Sequence, residues 1–227
     1  MAAMSNQAYL SVWFKDFSEG RMLEQFGKFL MTVPFSKTKP GFTYLVIRAV
    51  DASESPLLEQ DLGSVPLDAA GIIELVKDHL HSDTCYEVRS AWDLWVYEGV
   101  PARWQSVPQP LEILCNGEDY DDGFWRESGH IEVSFGFEHL FTGHAQLLGM
   151  RKNTNPVPQN PEEAQFLASM AQPSNLQMYQ EKTRENIRKM FDWVRKIEQT
   201  LEIEKLRLWS EGEENFEARI EEIVAAR

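Results

Sequence analysis

His130–Phe137 reads HIEVSFGF, and this stretch decides the fold class. Ile131, Val133, Phe135 and Phe137 alternate with His130, Glu132, Ser134 and Gly136. Successive side chains of a strand point to opposite faces, so one side is an apolar row and the other a polar one. Such a strand belongs in an antiparallel sheet that is covered on one face only.

Working outward, other segments join the same sheet. Tyr9–Phe14 (YLSVWF) alternates Leu10, Val12 and Phe14 onto one face, and Phe42–Val50 (FTYLVIRAV) reads as a largely buried strand. Cys85–Glu98 and Leu111–Cys115 are two further strands. The stretch between them, VPARWQSVPQP, is too long for a tight hairpin turn and is expected to be a connection. In 203–209, Leu206 and Leu208 alternate with charges, which predicts a strand.

Helices fall between the strands. Leu23, Phe26, Leu30 and Val33 follow helical spacing after Ser18, a residue suited to an N-cap. Asp68 precedes a stripe of Ile72, Val76 and Leu80, predicting a helix over 67–80. Asn160–Pro161–Glu162–Glu163 combines a cap, a proline at the first helical position and acids at the positive end of the dipole. A long helix is expected over 175–200, with Ser174 and Gln177 as a capping box and Ile187, Met190, Val194, Ile197 and Leu201 as its stripe. A last helix carries Phe216, Ile220, Ile223 and Val224.

The expected fold is therefore α/β (α+β): a mixed, mostly antiparallel sheet of about six strands with helices on one side. Residues 8–227 are expected to form one domain, with a Pro/Asn-rich linker at 151–160. Leu10, Val12 and Phe14 fall against Ile131, Val133 and Phe135. That correspondence suggests two ferredoxin-like βαβα pseudo-repeats, 8–116 and 129–226.

Composition bounds the function. A formal charge of −14 without any Lys/Arg-rich run argues against nucleic acid and suits a basic protein partner. Cys85 and Cys115 are too few for a disulfide framework. The N-terminal sequence lacks the basic and apolar regions of a secretory signal. No run of eighteen apolar residues offers a membrane span, so a cytoplasmic protein is expected. Phosphate-loop, dinucleotide-fingerprint, nucleophile-elbow and HExxH motifs are absent.

Four groups of residues carry chemistry. His79, His81 and Cys85 offer zinc-type ligands without a fourth partner; a helix end is the better account, and neither metal nor cofactor is expected. The acidic loop Glu118, Asp119, Asp121 and Asp122 fails the calcium-loop pattern, because Tyr120 and Gly129 stand where ligands are needed. His130 and Glu132 share a strand face and are the candidate base and orienting acid of a catalytic row. Trp92, Asp93, Trp95, Tyr97, Trp104 and Trp125 form an aromatic-rich segment suited to a ligand pocket or interface.

The leading reading is a non-catalytic protein-interaction or ligand-binding module that uses those aromatic residues. The alternative is a small hydrolase or metal-dependent enzyme built on His130, Glu132 and the 118–122 acids. A third is an acidic inhibitor of a basic partner. Trp92 and Trp95 fall on opposite faces of one strand, so a homodimer that buries the second ring is also expected.

Overall fold

The structure is a computed structural model and describes residues 6–99, 102–143 and 161–225. The expected linker at 151–160 lies outside the described residues.

The α+β architecture is observed. β1 (Gln7–Phe14), β2 (Tyr44–Ala49), β3 (Leu58–Asp61), β4 (Thr84–Gly99), β5 (Ala102–Asn116), β6 (Ile131–Phe137) and β7 (Ile203–Ser210) form one antiparallel sheet. Its spatial order is β3-β2-β4-β5-β6-β1-β7. The sheet thus has seven strands where about six are expected. The added strand is β3, an edge strand of sequence LEQD in which three of four residues are exposed. Without an apolar alternation it leaves no mark in the sequence.

A second difference concerns the connection VPARWQSVPQP. β5 begins at Ala102 and pairs with β4 along its whole length, from Gly99 opposite Ala102 to Cys85 opposite Asn116. The segment is thus a strand of a long hairpin, and its prolines are tolerated for a positional reason. β6 pairs only with Glu112–Cys115, so the rest of that edge of β5 has no neighbouring strand. The N–H of Asn116 points toward β6, onto the carbonyl of His130. By strand parity Pro110 and Pro108 stand where an N–H would point out of the unpaired edge, and no ladder bond is lost.

β4 and β5 therefore extend past the body of the sheet as an arm. On the other edge of this arm, side chains take the place of a strand. The amide of Asn186 holds the main chain of Trp95, Lys189 Nζ donates to the carbonyl of Asp93 at 2.8 Å, and the N–H of Ser36 donates to the carbonyl of Ala91 at 2.7 Å. A bare edge would template pairing with another chain, and this covering prevents it.

Helices cover one face. α1 (Glu19–Leu30) buries Met22, Phe26, Phe29 and Leu30; the Ser18 side chain makes no capping bond. α2 (Ala69–Val76) is capped by the Asp68 carboxylate, which accepts from the Gly71 N–H, and it ends earlier than expected in a tighter turn over Lys77–His79. Two one-turn helices follow, α3 (Trp125–Ser128) and α4 (His139–Thr142). α5 (Pro161–Met170) starts at its proline, as expected. α6 runs Pro173–Thr200, two residues longer than the expected helix, with Pro173 in its first turn and no side-chain cap at Gln172 in place of the Ser174–Gln177 box. α7 (Phe216–Ala225) ends the described chain.

The core lies between this layer and the inward row Leu10, Val12, Ile113, Ile131, Val133 and Phe135, all fully buried. The other face carries Glu87, Arg89, Glu112, Glu132 and Arg207. Among the described residues no helix is long and apolar enough to cross a membrane.

Candidate functional site

The arm and the first half of α6 build the site. Tyr97 stands directly opposite Trp104 across the hairpin, with ring centroids 5.4 Å apart. Phe166 of α5 meets Tyr97 edge-on at 5.3 Å, and Tyr179 of α6 meets Trp104 at 5.6 Å and Phe166 at 5.6 Å. Trp95 adds a fifth ring two residues before Tyr97, with Lys182 Nζ 3.8 Å from its ring centroid. Offset and edge-on rings at these separations attract one another beyond their buried area, and a cation over an indole adds an electrostatic term.

These rings enclose a cavity of about 300 Å³, completed by His139, Thr183 and Asn186. A second, more open cleft of about 420 Å³ shares Trp95, Tyr97 and Trp104 and is edged by Arg103, Ser169, Asn175 and Lys182. Both fall in the size range of small-ligand pockets; the walls of the first are mostly apolar with few polar groups, as such pockets are, whereas the second is edged by polar and charged side chains. The Tyr97 hydroxyl lies 3.1 Å from Ser169 Oγ, and burial lowers the pKa of His139 below its ordinary value. The site therefore presents neutral rings, one hydroxyl pair and a cationic rim.

Of the six aromatic-segment residues, the structure brings Trp95, Tyr97 and Trp104 together. Trp92 is 2% exposed, in the core against Phe135, Phe141 and Trp193. Asp93 faces the loop after α1, accepting from Ser36 Oγ at 2.7 Å and the Lys37 N–H at 3.0 Å. Trp125 belongs to another cluster: its ring stacks on His130 at 4.5 Å, and its Nε1 donates to the carbonyl of Glu118. Trp95, on the strand face opposite Trp92, carries Lys182 of α6 over its ring.

His130 and Glu132 do not meet. The imidazole packs between Phe17, at 4.0 Å, and Trp125, and its Nδ1 accepts the Phe14 N–H at 3.0 Å. Burial lowers its pKa to about 4, holding it neutral. Glu132 sits on the uncovered face, where burial raises its pKa to about 7, with Arg207 pulling it down and Glu112 pushing it up.

At the other end of the sheet, the acidic loop forms a turn over Tyr120–Asp122, with Tyr120 buried and Asp119, Asp121 and Asp122 exposed. Cys85 is buried with its Sγ 3.3 Å from Asn116 Oδ1, and burial pushes both thiols far up. His79 offers its carbonyl to the Tyr86 hydroxyl, and His81 stands 3.7 Å from Asp83. Among the described residues no group of three His, Cys, Asp or Glu side chains converges as a metal site.

Phe166, Tyr179 and Thr183 are missing from the sequence reading. A signal for the last two exists: Tyr179 and Thr183 continue the stripe of Ile187 and Met190 toward the start of α6.

Compared with known proteins, the chain matches no protein-family model, no curated protein and no solved structure.

Proposed function

We propose that this chain is a non-catalytic binding module whose contact site is the aromatic cleft between the β4–β5 arm and helices α5 and α6. One observation carries the reading: Trp95, Tyr97 and Trp104, from a strand pair, and Phe166 and Tyr179, from two helices, converge on one cavity of about 300 Å³. The cleft suits a flat apolar group, either on a small ligand or as an anchor side chain of a protein partner.

The hydrolase reading draws no support from His130, whose Nδ1 is occupied by a main-chain N–H and whose ring is 4% exposed. A base must reach the proton it abstracts. The inhibitor reading keeps one favourable observation: Asp119, Asp121 and Asp122 project together from the 118–122 turn of a chain with net charge −14. Basic ligands that bind there would do so in a strongly salt-dependent way.

The test is a ligand-observed NMR screen of aromatic fragments against the wild-type chain and the Trp104→Ala and Tyr97→Ala variants. Binders that lose affinity in both variants support the reading. Fragments that bind all three proteins equally would remove the cleft as the contact site.

A further inference from the structure

A second cavity, of about 650 Å³, lies between the segment after α1, the β4–β5 arm and the second half of α6. Lys37, Lys189 and Lys196 line it together with Asp93, Trp92 and Trp193. This grouping of cations is unusual for the chain. Lys28, Lys77, Lys182, Arg103 and Arg195 each hold a carboxylate partner. Among the described residues the three groove lysines hold none. Lys189 Nζ donates to the carbonyl of Asp93, and Lys196 Nζ donates to the carbonyls of Thr32 at 3.1 Å and Met31 at 3.4 Å. An ammonium has three donors, so each retains capacity for a ligand.

The carboxylates nearby offset part of the groove's charge, since Asp93 acts on Lys37 and Lys189 and Glu185 acts on Lys189, but none forms an ion pair with a groove lysine among the described residues. Asp93 is turned to Ser36 Oγ and the Lys37 N–H, and Asp192 pairs with Arg195 at 2.8 Å. The remaining wall combines the rings of Phe35, Trp92 and Trp193 with Pro34 and the hydroxyl residues Thr32, Thr38 and Ser106. Trp92 is buried, and its indole N–H has no acceptor among the described residues.

We infer that this groove is a binding site for a small anion, a molecule with a carboxylate or phosphate group on a flat apolar body. The lysines fix the anionic end through charge-assisted hydrogen bonds, and the rings take the body. Positive charge gathered in a concavity of an otherwise acidic surface raises the local concentration of such a ligand. Burial lowers the pKa of Lys189, and an arriving anion would offset that cost of the charged form. The site is separate from the aromatic cleft and does not rest on it.

The probes are naphthyl phosphate, naphthoate, neutral naphthalenemethanol and inorganic phosphate, titrated by calorimetry at low salt. Indole N–H resonances of the tryptophans locate the binding. Both naphthyl anions should bind about tenfold or more tightly than the alcohol and shift the Trp92 and Trp193 resonances. Their relative affinity tells phosphate from carboxylate recognition. Lys37→Gln and Lys189→Gln should each weaken the anions roughly threefold or more, whereas Lys77→Gln should not. Lys189 also holds the arm, so the exposed Lys37 carries the test if the Lys189 variant unfolds.

The alcohol binding as tightly as the anions, or affinity unchanged in Lys37→Gln, would overturn the anion site. Inorganic phosphate binding as tightly as naphthyl phosphate would overturn the role of the rings. Trp104→Ala should leave this binding intact, which separates its failure from that of the aromatic cleft.

Discussion

Asn186 holds the main chain of Trp95 at both its polar atoms: Oδ1 accepts the N–H at 2.8 Å and Nδ2 donates to the C=O at 2.9 Å. The second Nδ2 hydrogen goes to the carbonyl of Leu140 at 3.1 Å. A helix side chain thus imitates one peptide unit of a neighbouring strand. Replacing it by Leu, of similar size, would leave buried donors and acceptors unpaired. Asn186→Leu is therefore expected to cost about 3 kcal/mol in urea unfolding. The Trp95 amide should exchange with solvent far faster than its arm neighbours. A variant as stable as wild type, with Trp95 still protected, would contradict this.

Two buried titrating groups give opposite pH trends. Glu132 has a folded pKa near 7, above its ordinary value, so its folded form binds a proton that the unfolded chain releases. Its contribution favours folding below the ordinary carboxylate range and is lost as pH rises toward 7. His130, lowered to about 4, behaves in reverse: stability is full above its ordinary range and is lost as pH falls toward 4. Glu132→Gln should raise stability at pH 8 by about 2 kcal/mol, allowing for its partial exposure, and should steepen the acid-side loss due to His130. Thermal melts across the pH range read both. Equal melting temperatures of variant and wild type at pH 8 would contradict it.

Val50 has φ +72°, a conformation costly for a β-branched residue, and its side chain is largely exposed. Its N–H donates to the Asp83 carbonyl, and its carbonyl accepts from the Asp121 N–H, so the backbone is held there by bonds at both ends. Val50→Gly keeps both bonds and relieves the strain. It should stabilise the fold by about 1 kcal/mol after the entropy cost of glycine. A loss of stability would show that the valine side chain contributes packing that outweighs its strain.

Pro108 and Pro110 guard the unpaired edge of the arm. Pro108→Thr/Pro110→Thr restores two outward N–H groups in a β-prone sequence. The double variant should self-associate at concentrations where the wild type does not change mass, as read by light scattering over a dilution series. An unchanged mass would mean that twist alone protects this edge.

Period-2 patterns made much of the sheet legible. β1, β2 and β6 bury alternate residues or a continuous run, whereas β7 buries only Leu208; β1, β6 and β7 are read at nearly their observed length, and β2, expected over 42–50, is shorter at Tyr44–Ala49. Of β5, Leu111–Cys115 was legible, but its first part from Ala102 to Pro110 was hidden because proline counts against a strand unless one knows that its edge of the backbone has no neighbour. β3 was hidden because an edge strand with no buried row has no pattern to read. The likeness of YLSVWF to HIEVSFGF has a direct cause in the sheet: β1 and β6 are antiparallel neighbours, with Leu10 opposite Val133, so both serve the same core. In the site, Trp95, Tyr97 and Trp104 were legible as members of one aromatic-rich segment, but not as rings on one hairpin. Their helical partners were not, since no local rule says which strand a helix will cover.

The Phe14 N–H donates its hydrogen bond to His130, 116 residues further along the chain, and the other edge of β1 waits for β7. During synthesis β2 to β5 can pair locally as they emerge, while β1 must remain without a strand partner until β6 has been made. Leu10, Val12 and Phe14 are then apolar, β-prone and open on both edges. The acids and lysine that follow at 15–19, together with early cover from α1, are the protection available in that interval. The order in which a ribosome delivers this sheet thus makes β1, the hydrophobic strand just inside the β7 edge, the one longest exposed to misassociation.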